Sequence, residues 1–252
     1  MTLENFYGGW KRDREDKRDF LYKIPEKISI PKKASVLAQC PPVYDQGQLG
    51  SCTGNSTAGA IHFEFIKQGL TDWQSSWIPS RLMIYFNARV LEGDPSEDNG
   101  AEIRDCMKVT ANLGVTSELL WPYDITKFAN APSQDAVADA SKHLIMSYLR
   151  LNTLDEIKAC IASGWPCTAG IQVYSNFPMD TTTGKVPMPK PWSSDEGGHA
   201  ILLVSYDDTK KLIGFRNSWG SGWGLGGYGT LPYKYISDSN LSSDFWTVRA
   251  ME

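Results

Sequence analysis

Hydrophobic patterning changes period once along the 252 residues, near Gly164, and that change restricts the chain to a helical part followed by a β-rich part. Before it, apolar residues recur at helical spacing. Ser51 caps a segment carrying Ala58, Ile61 and Phe65 until Gly69 ends it. Pro79 opens a second segment, with Leu82, Tyr85, Phe86 and Arg89. A third runs from about Ala101 to Leu113, with Ile103 and Met107 on one face and Gly114 just past its end. Thr153 and Glu156 form a capping box ahead of Ile157, Ala159 and Ile161. Beyond Gly164, short apolar runs predict strands over 166–174, 200–206, 212–216, 228–231 and 245–249. Helices first and strands second predict an α+β fold with segregated lobes. Pro31 and Pro41-Pro42 make 31–45 extended.

Composition narrows the function classes. A net charge of −4 argues against a nucleic-acid-binding face. No apolar run approaches the roughly 20 residues that span a bilayer. Residues 1–10 lack an apolar signal core and lead into a dense charge run from Lys11 to Asp19. Residues 1–30 also hold Phe6, Tyr7, Trp10, Phe20 and Tyr22, more aromatic surface than a solvated tail needs. An extension lying on the body of a 31–252 domain is therefore expected, as a short pro-segment across a cleft or as a brace between lobes. The five cysteines, Cys40, Cys52, Cys106, Cys160 and Cys167, are odd in number and lack C-x-x-C spacing. They suggest neither a disulfide framework nor a metal site, and no cofactor is expected. With no secretion signal visible, a cytoplasmic, reducing location and a monomer are the expectations.

Three segments carry chemistry. In Asp45-Gln46-Gly47-Gln48-Leu49-Gly50-Ser51-Cys52, a cysteine enters the first turn of a helix, where N–H groups and the helix dipole favour thiolate. Gln46 can fold back to offer its side-chain amide, which with the Cys52 N–H would form an oxyanion hole. The competing reading is a buried cysteine in a tight turn. In Gly197-Gly198-His199-Ala200, a histidine stands at the mouth of an apolar strand. The other two, His62 and His143, read as structural or solvated. In Asn217-Ser218-Trp219-Gly220, an asparagine can fix the tautomer of an imidazole, and Trp219 and Trp223 can screen that bond from water. No phosphate-binding glycine run is present.

Taken together, Gln46…Gly50-Ser51-Cys52, Gly198-His199-Ala200 and Asn217-Ser218-Trp219-Gly220 resemble the three signature regions of the papain-like cysteine peptidases, in the family's order. Asn99-Gly100-Ala101 is similar to the segment whose backbone pairs with substrate, and Trp121-Pro122-Tyr123 to the lobe junction. The resemblance covers about 31–252. It implies a two-lobed papain-like fold, with a helical lobe over about 45–120, a β-rich lobe over about 121–252 and a cleft between them. It implies Cys52 as nucleophile, acidified by His199, with Asn217 as orienter and Gln46 as oxyanion donor. Gly100, Ala101, Gly198 and Trp219 would line the substrate site. Polypeptide substrates and protein protease inhibitors are the implied partners, with endopeptidase action the default. Acyl transferases and inactive binding modules on the same scaffold are the alternatives. Three departures stand out: Leu49 replaces the family's cysteine before the nucleophile, Thr53 its aromatic after it, and Ala101 the second glycine of the substrate-pairing segment.

Overall fold

The computed structural model describes residues 8–70, 77–179 and 181–251; Phe6 and Tyr7 lie outside them. Helix α1 (Cys52–Lys67) is buried on every side from Cys52 to Phe65. It is thus a central helix and not the amphipathic surface helix its spacing suggested. Small residues let neighbours close in on it. A Cβ on Gly54 would stand 2.8 Å from the Arg81 carbonyl oxygen, and one on Gly59 2.9 Å from the Arg216 guanidinium. Helix α2 (Arg81–Glu92) starts where Ser80 Oγ accepts the Met83 N–H, and it ends at Gly93, φ 87°. Helix α3 (Ile103–Asn112) stops before Gly114, φ 77°. These three helices pack together as the helical lobe.

The β lobe is a seven-stranded sheet. Its strands are β4 (Ile145–Leu151), β9 (Ser242–Met251), β5 (Cys167–Tyr174), β6 (Asp195–Asp207), β7 (Leu212–Arg216) and β8 (Tyr228–Pro232), in that spatial order and all antiparallel. Strand β2 (Lys33–Ser35) pairs with β6 as the seventh. Side chains alternate across β6. Ala200, Leu202 and Val204 face the cluster around α1, while Ile201 and Leu203 join the barrel core with Ile171, Ile213 and Phe215. One strand therefore seals both lobes, and His199 lies at its junction with α1. Helix α5 (Leu154–Ala162) carries the expected Thr153/Glu156 capping box. Helices α4 (Gln134–Ala140) and α6 (Tyr233–Ser237) and strand β4 were not foreseen.

The N-terminal segment is not a tail. From Gly8 to Tyr22 it forms a strap across the face where the lobes meet. Its strand β1 (Trp10–Lys11) pairs in parallel with β3 (Ala101–Glu102). Farther on, the Arg150 N–H donates to the Phe20 carbonyl and the Tyr22 N–H to that of Arg150, both at 2.8 Å. Charged side chains fasten it. Arg104, nearly fully buried, holds Asp19 through Nε at 2.9 Å and Nη2 at 2.7 Å. Arg150 reaches Asp13 at 3.2 Å and Asp244 at 2.7 Å, and the Trp246 indole donates to Asp13 at 2.8 Å.

Candidate active site

The turn before α1 is held from several directions. Asp98 accepts the Gly50 N–H at 3.0 Å and the Tyr85 hydroxyl at 2.5 Å. Tyr85 Oη in turn accepts the Gly100 N–H at 3.1 Å, tying the nucleophile turn to the wall at 100–101. Ser51 occupies the N-cap position without a capping bond; its hydroxyl contacts Tyr123 Oη at 2.5 Å and takes an Asn55 N–H at 3.0 Å. Cys52 follows as the first helical residue. The backbone N–H groups of Ala200, Gly9, Thr53 and Cys52 itself lie near enough to the sulfur to favour its thiolate.

His199 is fully buried, with Nε2 2.8 Å from Asn217 Oδ1. Trp219 lies over its ring, centroids 4.7 Å apart and planes 28° from parallel. Trp223 meets Trp219 edge-on at 5.4 Å. These indoles keep water from the His199–Asn217 bond. Asn217 Oδ1 also accepts the Ser218 N–H at 2.9 Å, which fixes the amide orientation. Gln46 is buried beside them. Its Oε1 accepts the Ser218 hydroxyl at 2.6 Å, its Nε2 donates to the Leu49 carbonyl at 3.0 Å, and its backbone N–H donates to Ser218 at 2.8 Å. Gln46 therefore belongs to the Asn217–Ser218 turn as much as to the Cys52 turn.

Three of the four residues expected to contact substrate, Gly100, Ala101 and Gly198, lie around Gly9. Ala101 donates its N–H to the Gly9 carbonyl at 2.8 Å, and the Gly198 carbonyl accepts the Gly9 N–H at 3.0 Å. A Cβ on Gly100, φ 78°, would stand 2.3 Å from the Gly9 carbonyl oxygen. Trp219 roofs His199. Sequence reasoning missed Gly9 itself, Asp98 and the part Tyr85 plays in holding the turn. Only the aromatic content of residues 1–30 hinted that a chain segment would be seated here.

Electrostatics differ from the acidified thiol that the sequence resemblance implies. Burial pushes the Cys52 thiol up to about 12, against the N–H groups that favour thiolate. Burial pulls His199 down to about 4, with the Asn217 hydrogen bond working the other way. Both groups are therefore held neutral at pH 7 while the strap covers them. The strap's Gly9 is engaged by both walls of the site, its N–H by the Gly198 carbonyl at 3.0 Å and its carbonyl by the Ala101 N–H at 2.8 Å.

Comparisons with known proteins agree with this architecture. Residues 24–245 match the papain family cysteine protease profile. An uncharacterized peptidase C1-like protein of Acanthamoeba polyphaga mimivirus is 37% identical over 270 residues, covering 96% of this chain and 86% of that protein. Cathepsin K of Mus musculus is 27% identical over 211 residues, covering 83% of this chain and 60% of that protein's length. Among solved structures, xylellain, a cysteine protease from Xylella fastidiosa, superposes with a TM-score of 0.90 at 37% identity, covering 98% of this chain and 97% of that one. A procathepsin B from Trypanosoma congolense shares the fold, with a TM-score of 0.80 at 14% identity over all of this chain and 90% of that one. The chain is a cysteine protease belonging to the papain family.

Proposed function

We propose that this protease cleaves internal peptide bonds through Cys52, His199, Asn217 and Gln46, and that the strap keeps it latent. The observation that carries the reading is one arrangement. A cysteine at the N-terminus of a buried helix abuts the His199–Ala200 backbone, with His199 Nε2 2.8 Å from Asn217 Oδ1. With Nε2 committed to Asn217, His199 exchanges protons with the sulfur through Nδ1. Once the strap leaves, water and substrate reach the pair, and proton transfer from sulfur to imidazole gives the thiolate. The thiolate attacks the scissile carbonyl carbon, and the Gln46 amide and the Cys52 N–H hold the oxyanion. The imidazolium protonates the departing amine as the acyl–enzyme forms. Water then adds to the acyl carbon with His199 as base, the carboxylic acid leaves, and the thiol is restored.

Latency is supported by the strap's hold on both walls of the site, where the Gly9 N–H donates to the Gly198 carbonyl at 3.0 Å and its carbonyl accepts the Ala101 N–H at 2.8 Å. The five free cysteines suit work in a reducing compartment. The test is turnover of an internally quenched peptide with both termini blocked, by Gly9→Leu, in which the strap cannot seat, and by Cys52→Ala in the same background. Cleavage by the former and none by an equally stable Cys52→Ala supports the reading. Equal cleavage by both overturns it.

A further inference from the structure

Helix α2 opens on an arginine, although the dipole at a helix N-terminus disfavours a cation, so Arg81 does not stand there for the sake of the helix. Its side chain is buried. The guanidinium lies between two rings, 3.8 Å from the centroid of Tyr123 and 4.8 Å from that of Tyr44. Glu118, itself largely buried, accepts Nε at 2.6 Å and Nη2 at 3.3 Å. Nη1 points away from that carboxylate. It donates to the Asp45 carbonyl at 2.9 Å and to Asn55 Oδ1 at 3.0 Å.

Those two acceptors sit on different segments. Asp45 immediately precedes Gln46, the side-chain donor of the oxyanion hole. Asn55 lies one turn into α1, three residues beyond Cys52, whose N–H is the other donor. Asn55 passes the hold back towards the nucleophile, since its Nδ2 donates to the Ser51 carbonyl and hydroxyl, both at 3.0 Å. Tyr123 adds a second link beneath the guanidinium. Its hydroxyl donates to the Gln46 carbonyl at 2.9 Å and lies 2.5 Å from Ser51 Oγ. A single nitrogen of Arg81 therefore spans the two segments on which the two oxyanion donors ride.

We infer that Arg81 is a positioning residue for the oxyanion hole, setting the separation of the Gln46 amide from the Cys52 N–H by bridging Asp45 to Asn55. The inference rests on the peptidase reading above. Oxyanion donors act only at about 2.7–3.1 Å from the developing charge. A displacement of about 1 Å can cost on the order of 10²-fold in rate. The bonds of Gln46 to Ser218 and Leu49 orient its amide; the Arg81 bridge refers the whole segment to α1. The task needs a planar fork. Lysine would keep a cation beside Glu118, but one nitrogen on a flexible stem cannot hold that carboxylate and both other acceptors.

The experiment compares hydrolysis with alkylation in full-length Gly9→Leu, using the blocked, internally quenched peptide and iodoacetamide. Arg81→Lys should lower kcat about tenfold with KM nearly unchanged, a share of the roughly 10²–10³ that loss of a whole oxyanion donor costs. Iodoacetamide loses iodide from a saturated carbon and forms no oxyanion, so the rate and pH profile of Cys52 alkylation should not change. In a Gln46→Ala chain, Arg81→Lys should alter kcat by less than about twofold, because the donor that it positions is gone. Tyr123→Phe keeps the ring against the guanidinium and removes one hydroxyl. It should show the same pattern more weakly, and it carries the test if Arg81→Lys does not fold. Equal losses of kcat with and without Gln46, alkylation slowed in proportion to kcat, or kcat unchanged in the folded variants overturns the positioning role alone. No Cys52-dependent turnover by Gly9→Leu overturns the peptidase reading and this inference together.

Discussion

Gly9 lies so close to Gly50 that a Cβ built on it would stand 1.6 Å from the Gly50 carbonyl oxygen. No side chain fits between the strap and the turn that carries Cys52. Gly9→Leu should therefore lift the strap while leaving the body intact. Overpacking typically costs roughly 1–3 kcal/mol. Set against docking, that corresponds to about tenfold more active enzyme. The check is the initial rate of Gly9→Leu against the parent chain on the quenched peptide. A slower variant of unchanged Tm would contradict strap-imposed latency.

Arg104 is the buried half of the latch, with Asp19 in its fork. Removing one partner of a buried pair costs about 3–5 kcal/mol, less here because Arg150 still faces Asp19 at 3.1 Å. Arg104→Ala should thus release the strap, seen as faster proteolytic nicking of residues 8–22 and higher peptidase activity. Arg104→Lys should fall between, since a point charge cannot hold both Asp19 oxygens.

Asn217 touches His199 and the Ser218 N–H, and its loss frees the imidazole to rotate beneath Trp219. Asn217→Ala should lower kcat by on the order of 10–10² with little change in KM, as expected when orientation and not binding is lost. Steady-state kinetics on a strap-released background separate the two parameters.

The pH dependence of stability follows from buried groups. Burial pulls His62 and His199 from the ordinary 6.5 down to about 4, with Arg216 adding to the effect at His62. The unfolded chain takes up those protons near 6.5 while the folded one refuses them. A base depressed in this way stabilises the fold above 6.5 and loses that contribution as pH falls through 4. Asp13 opposes them. Its carboxyl, raised to about 7 by burial and by Asp244, favours the folded state at low pH and loses that contribution as pH rises towards 7. Two histidines outweigh one aspartate, so Tm should fall between about pH 6.5 and 4. His62→Asn should make that slope shallower, and Asp13→Asn should steepen it.

Much of this molecule was legible in its sequence because local signals agreed with the tertiary environment. Gly69 and Gly114 stop helices where their positive φ is needed, and the Thr153–Glu156 box starts one. The Cys52, His199 and Asn217 segments were readable since each chemical residue sits among glycines or small residues that permit close approach. Strand β4 was missed because its sequence, Ile-Met-Ser-Tyr-Leu-Arg-Leu, is half-exposed along the sheet edge and shows no clean alternation. Helix α4 has only Ala136 and Ala140 buried, too weak a stripe to register. The strap escaped detail for a different reason. What holds it is long-range pairing of Asp13, Asp19, Arg104, Arg150 and Asp244, and separations of 85 to 231 residues leave no local pattern.

The most direct measurement is covalent labelling of the thiol. Full-length Gly9→Leu would be incubated with a peptidyl epoxide that reacts with cysteine protease nucleophiles, digested and mapped by mass spectrometry, beside the parent chain and the Gly9→Leu/Cys52→Ala pair. A single adduct on Cys52, formed faster in Gly9→Leu than in the parent and absent from the double variant, is the predicted result. No adduct on a folded Gly9→Leu chain, or an equal yield on another cysteine when Cys52 is gone, would contradict Cys52 as the nucleophile beneath the strap.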